Sequence, residues 1–531
     1  MNDNESKIKY AQYVERLLPR MLTQVCRDPG STAYGSFDRN WWHYKIRDFS
    51  SIILQQGGYA LYYASKLPAF KEDATALQAL AAASCRFWND RAVRHGAFEE
   101  YYPWEQGYPP VAFSTLAVAK MVADGVVGLE EVKKGLSVAA RQLQHRFESK
   151  ATNQQVAGTA ALCWIRKIAP ELIEETGFQQ ICNRTLACQH EEGWYMEYGG
   201  PDLGYLSVTM DCLWDAYDAT SDERFRASAA KALDFIEAFV AMPQRGAGML
   251  NARNTDYIVP YGIARFLESE KHSAKAGMVL ARLFENIDQP QHFLHATDDR
   301  YICHYIGHSL YRAIPLMMGS EVHRTEETIN HYFDGCGIWL YSTANSGYAA
   351  MVSAMKGGIL SVSFGESNGA DYGWIVRENG REWVSHWWAG FWAIARNNNS
   401  IRIQGHLTPH RENISSPFKH VALRALSFLF GRRIISLLKE KMIFKEKQAV
   451  GPSYVRSITF NPDGIEVVDV IGVNDSSALY RAPRSSKRHV ASADSYHKED
   501  VALCATGICV EETRASGEGC IEIKTQYRRN P

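Results

Sequence analysis

The feature that most constrains this chain is an alternation, sustained from about Ile8 to about Met318, between helix-period segments and polar loops. Ala74 to Trp88, Glu130 to Phe147, Val156 to Ile168 and Phe225 to Val240 each carry apolar residues three and four positions apart, which predicts amphipathic helices. The loops between them are rich in reactive side chains: Tyr34 to Asp48, His95 to Pro109, Glu191 to Tyr205, Gly246 to Tyr261 and Gln291 to His308. They recur roughly every 50 residues, the length of a helical hairpin with its connections. Hairpins that close into a ring would bring alternate loops to one end and point their side chains at a central cleft. A solenoid, whose loops never meet, is the alternative.

After His331 the period changes. Ile338 to Thr343, Gly358 to Phe364, Gly373 to Val376, Tyr454 to Phe460, Ile465 to Ile471 and Cys520 to Thr525 are short, β-branched or alternating, and bounded by Gly, Asn and Asp. The run Asn461-Pro462-Asp463-Gly464 is a turn by its residue chemistry. The expectation is a helical domain over 1–325 and an antiparallel β-sandwich over 326–531.

One stretch breaks the β pattern. Between Phe418 and Lys447 stand eight Lys or Arg and only two Glu, among apolar residues that include Val421, Leu426, Phe428, Leu429 and Phe430. This is the composition of a basic amphipathic helix, or a pair broken at Gly431, lying in a membrane interface. A helix packed on the sandwich is the other reading. The 58 Lys plus Arg against 59 Asp plus Glu leave a net charge of −1, so no global basic field favours nucleic acid. Met1 to Tyr10 resembles no export signal, no apolar run is of spanning length, and the eleven scattered cysteines form no CxxC pair. These features predict a cytoplasmic protein, peripheral on a membrane, with reduced thiols and no metal. A P-loop, a Rossmann glycine fingerprint and a GxSxG elbow are absent from the sequence, which argues against nucleotide-dependent and serine-hydrolase chemistry.

Several of these residues carry a resemblance. Asn153-Gln154-Gln155 opening a helix, the run from Glu192-Gly-Trp through Glu197-Tyr198-Gly-Gly-Pro-Asp202 to Tyr205, and Lys356-Gly-Gly ahead of Gly369-Ala-Asp371-Tyr-Gly373 are similar to the heparinase II/III-like group. That resemblance implies an α/α toroid, an incomplete helical barrel, joined to an antiparallel β-sandwich, and enzymes that attack uronate residues of polysaccharides without a cofactor. The chain departs from the family pattern at two places. Family lyases carry Asn-Asn-His where this chain has Asn153-Gln154-Gln155, so one histidine is missing. The β segment Glu366 to Asp371 keeps only an acidic residue of a histidine-bearing run.

Cleavage and C5 epimerisation of a uronate both begin with loss of the C5 proton, which requires the adjacent carboxylate to be neutralised and a base to be poised beside it. On the family's implication, Asn153 and Gln155 would neutralise the carboxylate, with helix capping by Asn153 as the structural alternative. Tyr205 is the first choice for proton transfer and Tyr198 the second; a core or sugar-stacking role is the alternative. His304 and His308 of HYIGH share a face if they lie on one helix and could supply an opposing acid or base, or be core histidines. His386, ahead of Trp387 and Trp388, could reach the cleft from the sandwich, or donate to backbone. Glu105, Tyr102, Trp104, Trp42, Glu197, Arg253, Asn254, Tyr257, Arg300 and Tyr301 are candidate substrate holders, because Arg grips carboxylates bidentately and aromatics stack on sugar rings.

The absent export signal and the basic amphipathic stretch favour a biosynthetic uronate C5-epimerase on a lipid-linked glycan, with a polysaccharide lyase as the alternative. A glycoside hydrolase using Glu197 with Asp202, or Glu105 with Asp256, and a non-catalytic glycan-binding protein are further alternatives.

Overall fold

The computed structural model describes residues 3–96, 98–101, 103–105, 107–242, 250–253, 255, 257–290, 292–318, 329–342, 347–365, 367–388, 391–410, 416–430, 451–474, 476–483, 508–517 and 519–529. Helices occupy the first part as far as Met318, and the first described strand begins at Asn330. The domain boundary predicted near 325 lies outside the described residues.

Six helices form an inner ring. Gln56–Ala64 packs on Tyr108–Ala123, which packs on Thr152–Ile168, then Leu203–Thr220, Tyr261–Ala264 and Gly307–Met318, and the last returns to the first. Ala74–His95, Leu129–Gln144, Glu175–Leu186, Glu223–Val240 and Ser273–Phe284 pack outside them. The sequence separates the two layers. Inner helices are buried nearly all round, as in 152–168, where every residue from Thr152 to Ile165 is buried. Outer helices bury one stripe, as in 129–144 with Val132, Leu136, Ala139, Ala140 and Leu143. A small residue sets the closest approach: a Cβ on Gly158 would lie 2.4 Å from the Tyr108 hydroxyl. One charge pair buried in the ring is closely matched: Arg312 grips Asp215 with two bonds of 3.0 and 2.5 Å.

The β part holds three antiparallel sheets among the described residues. A five-stranded sheet runs in sequence order from Asn330–Phe333 to Ser367–Asp371. A six-stranded sheet is centred on the hairpin Ser453–Asn461 and Gly464–Gly472, and a four-stranded sheet joins Trp374–Glu378 to Arg381–Val384. Period-two alternation splits the first sheet between two cores. Ile338, Leu340, Met351 and Ile359 face the helical ring, whereas Trp339, Val352, Leu360 and Val362 face the sandwich. Phe333 extends the helical core, its ring 4.8 and 5.7 Å from those of Phe235 and Phe239.

The sheets meet at a buried ion cluster. Arg456 donates to Asp469 at 2.7 and 2.8 Å, to Asp371 at 3.1 Å and to the Gly358 carbonyl at 2.9 Å. Arg481 and Tyr527 also donate to Asp371, at 2.8 and 2.7 Å, and the Trp374 indole donates to Asp469 at 2.7 Å. Asp371, the acidic residue shared with the family's β motif, is therefore a structural hub. Glu366 lies outside the described residues. The nine cysteines with described side chains are free thiols, seven of them buried.

Burial alone would raise the Asp371 carboxyl, but Arg456 and Arg481 outweigh it and hold it below the usual range. Its folded value lies below the unfolded one of about 3.9, so its contribution is present above that pH and is lost as pH falls through the folded value. Arg456→Met would leave the buried Asp469 without its cation and Asp371 with Arg481 as its remaining cation, and is expected to cost about 3–5 kcal/mol, read by urea unfolding at pH 7, with the loss smaller at pH 3.

Candidate active site

The candidate residues gather where loops enter the inner helices. The loop before Leu203–Thr220 is the scaffold, because it is laced to the start of Thr152–Ile168. Thr152 donates to the Met196 carbonyl through its amide (3.1 Å) and its hydroxyl (2.7 Å), and the Tyr198 amide donates to the Lys150 carbonyl at 2.7 Å. Within the loop the Glu197 amide closes on the Gly200 carbonyl at 2.6 Å. Tyr198 sits in the left-handed region at φ +58°, a conformation that costs roughly 1–2 kcal/mol for a residue with a side chain. Its ring is covered by the Arg253 guanidinium, 3.8 Å from the ring centre.

Two buried carboxylates fix this arrangement. Ala151, which precedes helix 152–168, offers no capping side chain; instead Glu197 Oε1 accepts the Asn153 amide at 2.7 Å. Asp202 caps helix 203–220 by accepting the Tyr205 amide at 3.1 Å, and it also accepts from the Thr255 amide (3.2 Å) and hydroxyl. Thr255 in turn accepts the Gly204 amide at 3.1 Å. The loop that carries Arg253 is thereby tied to the helix that carries Tyr205. Burial pushes the Glu197 carboxyl well above its ordinary range, helped by nearby Asp202 and opposed by Arg253. Burial raises Asp202 as well.

Around these caps stand Tyr205, Tyr198, Arg253, Asn153 and Gln154. The Arg253 guanidinium is 5.9 Å from the Tyr205 ring centre. Burial works against the cation, but the neighbouring Tyr205, Tyr198 and Glu197 outweigh it and raise its pKa. A guanidinium at a phenol oxygen stabilises the phenolate form, which is what a tyrosine needs to act as a base. Tyr198 is pushed up to about 12, by burial against the opposing pull of Arg253, and it accepts from the Gln154 amide at 3.4 Å. Asn153 Oδ1 and Gln154 Oε1 are buried without a hydrogen-bond partner among the described residues. Trp388 reaches this loop from the β domain. Its indole donates to the Gly199 carbonyl at 3.2 Å, and a Cβ on Gly200 would lie 2.0 Å from its ring.

The remaining candidates fall into separate places. Gln155 is turned away: it accepts the Glu148 amide at 2.9 Å and its own amide donates to Thr159 and Thr185 at 3.2 and 3.3 Å. The position at which the family carries histidine is therefore occupied here by a residue of the helix interface. Gln154, one residue earlier, is the one that meets Tyr198; a helix turns about 100° per residue, so neighbours in the run face different ways. The helix-capping alternative for the Asn153 side chain does not hold, since the cap comes from Glu197.

His304 and His308 do not share the face of a regular helix. Ile302–Ile306 is a π-turn with His304 at ψ −149°, so the four-residue spacing does not place the rings together. Burial presses His304 down to about 3 and His308 well below its usual value, with Arg300 and Arg312 respectively adding to the effect. His308 lines a cavity of about 10 Å³ with Tyr59, Asp211 and Asp215, and its ring is 4.9 Å from that of Tyr59. No group of three His, Cys, Asp or Glu suited to a metal ion occurs among the described residues. His386 is buried in the loop that leads to Trp388.

A second cluster surrounds Tyr101. The Arg300 guanidinium lies 5.8 Å from its ring centre, and Arg47 donates to the Glu100 carbonyl at 2.6 Å. Glu105 accepts the Tyr101 amide at 2.6 Å, and Trp104, at φ +61°, meets Phe428 at 5.1 Å. Burial raises Tyr301 and Tyr257, with nearby Tyr205 adding to the effect, and Tyr257 shares a 2.8 Å hydrogen bond with Tyr305. Trp42 stands apart, its indole bound to the Gln24 carbonyl at 2.8 Å. Tyr102, Asn254 and Asp256 lie outside the described residues. For the hydrolase alternative, Glu197 and Asp202 both serve backbone amides, and Asp202 uses both oxygens to do so. Sequence reasoning passed over Gln154 and Trp388; the Gly199-Gly200 pair was the available signal that something large approaches this loop.

No family model and no curated protein matches the sequence. Solved structures do. A xanthan lyase of Paenibacillus superimposes with a TM-score of 0.53 at 10% identity, over 90% of this chain and 46% of its own length. The chondroitin AC lyase of Streptomyces coelicolor, determined in complex with chondroitin sulphate, superimposes with a TM-score of 0.51 at 11% identity, over 98% of this chain and 77% of its own. The fold is the helical toroid plus β domain of these two lyases. This chain thus spans about half the length of the xanthan lyase it matches. At these identities the likeness is one of architecture.

Because the folded Glu197 carboxyl titrates above its unfolded value of about 4.3, its ionisation costs stability as pH rises past that point. Glu197→Gln keeps an acceptor for the Asn153 amide and removes the charge, so it is expected to be at least as stable as the parent at pH 8. Glu197→Ala orphans that amide and is expected to lose about 1–3 kcal/mol. Urea titrations at pH 5 and pH 8 check both.

Proposed function

We propose that this protein is a polysaccharide lyase that removes the C5 proton of a hexuronate residue and expels the oxygen at C4. The observation that carries the reading is Tyr205, held at a helix start by Asp202, with the buried Arg253 guanidinium 5.9 Å from its ring centre. In this scheme Arg253, with the amides of Asn153 and Gln154, neutralises the uronate carboxylate and so acidifies C5–H. Tyr205 takes the proton, the C5–H electron pair becomes the C4–C5 double bond as the C4–O bond breaks, and the tyrosine proton passes to the departing oxygen. One residue serves as base and then acid on one face of the sugar. The architecture shared with the xanthan and chondroitin lyases supports the reading.

Inversion at C5 needs a second acid on the opposite face. His304 and His308, the sequence candidates for it, are buried and driven toward the neutral form, which favours elimination over epimerisation. Proton NMR in heavy water, with a panel of uronate polymers, tests the choice. New alkene signals with shortened chains are expected; deuterium at C5 of intact chains with changed configuration would assign the epimerase instead. Tyr205→Phe is expected to lower kcat by about 10²- to 10⁴-fold with an unchanged melting temperature, and a fully active variant would remove Tyr205 from the mechanism.

A further inference from the structure

The helix Pro417–Phe430 carries a run of exposed large apolar side chains that the proposed chemistry leaves unused. Phe418 is 81% exposed, Val421 65%, Phe428 64% and Leu429 69%, while Ser427 is the one residue of the helix that is buried. At 100° per residue, 418, 421, 425 and 429 form a single stripe opposite Ser427, and Lys419 and Arg424 flank it. Each large apolar side chain held in water forgoes the free energy of its burial. Such a stripe implies an occupant.

We propose that this helix is a membrane-docking element that lies in the headgroup region of an anionic bilayer and sets the Trp104 side of the helical ring against the lipid. Its fourteen residues extend about 21 Å, short of the roughly 30 Å of a hydrocarbon core, so it suits lying on a bilayer and not crossing one. Lys419 beside the apolar stripe matches anionic headgroups, its stem along the apolar surface and its charge in the interface, while Arg424 is paired with Asp48. The sequence around the helix reinforces this: eight Lys or Arg against two Glu between 418 and 447, in a chain whose net charge is −1. A second copy of the chain is a poorer occupant, because pairing two such stripes would bring like charges together.

The helix is not a loose appendage. Arg424 holds Asp48 through bonds of 2.7 and 3.1 Å, and Phe428 meets the Trp104 ring edge-on at 5.1 Å. Both anchors belong to loops of the Tyr101 cluster: Arg47, beside Asp48, donates to Asp38 and to the Glu100 carbonyl, and Arg300 lies over Tyr101. Docking there would present a membrane-attached glycan to the same end of the ring as Tyr205.

Flotation of the full-length protein with vesicles tests the proposal independently of any activity, so failure of docking and failure of the lyase reading are distinct results. Phosphatidylcholine vesicles are compared with vesicles that also contain phosphatidylglycerol, at low and high salt. The expected result is binding to the anionic vesicles that weakens with salt, and at least about a tenfold loss of that binding in Val421→Glu/Leu429→Glu. Both positions are exposed, so the variant is expected to keep the parent's melting temperature. Val421→Lys/Leu429→Lys, which removes the apolar stripe while adding positive charge, is expected to bind less tightly than the parent as well. Absence of binding by the parent, equal binding by the glutamate variant, or a parent dimer that this variant converts to monomer would each overturn the proposal.

Discussion

The candidate site depends on two carboxylates supplied by a single loop. Glu197 caps a neighbouring helix in place of its own first residues, and Asp202 caps the helix that follows it while holding Thr255 of a third segment. Helix starts leave amides unpaired, and an unmet buried amide costs about 1–3 kcal/mol, so both caps are strongly constrained. Their positions fix everything that matters to the proposed chemistry. Tyr205 stands at the start of the helix that Asp202 caps, Arg253 two residues before the threonine that Asp202 binds, and Asn153 at the amide that Glu197 receives. The left-handed backbone at Tyr198 is held by the same lacing and by the guanidinium over its ring.

The β domain contributes through rigidity and through one side chain. Arg456 links strands of the six-stranded sheet to the edge of the five-stranded one, and Trp374 and Arg481 join the third sheet to the same carboxylates. The five-stranded sheet then lays its other face on the helical core, where Ser353 donates to the Leu250 carbonyl at 2.8 Å, close to Arg253 in the chain. Trp388 closes the contact by filling the space above Gly199 and Gly200. The site loop is thus clamped between a helix start on one side and an indole on the other.

Much of the candidate site's grouping was legible in the sequence, and the departures have definite causes. Tyr205, Tyr198, Glu197 and Arg253 were picked out as candidates, and the structure brings them together, because Gly, Pro and charged residues in a loop between buried helices mark a place where side chains meet. Gln155 was preferred to Gln154 because a motif gives order along the chain but not rotation about a helix axis. The spacing of His304 and His308 suggested a shared face; the π-turn between them removes the regular geometry on which that inference rests. Trp42 could not be assigned from its neighbours, since its partner is a backbone carbonyl 18 residues away.

By itself the sequence determined where each kind of periodicity runs, that a helical part gives way to a β part near His331, and which loops are dense in reactive groups. These are local properties, set by side-chain spacing of two or of three to four residues. Tertiary structure alone decided that the inner helices close into a ring, that Asp371 is a structural anchor, and that Glu197 and Asp202 are buried caps. Those outcomes rest on contacts between residues some 40 to 250 positions apart and on desolvation of charge, and neither quantity has a value until the chain has folded.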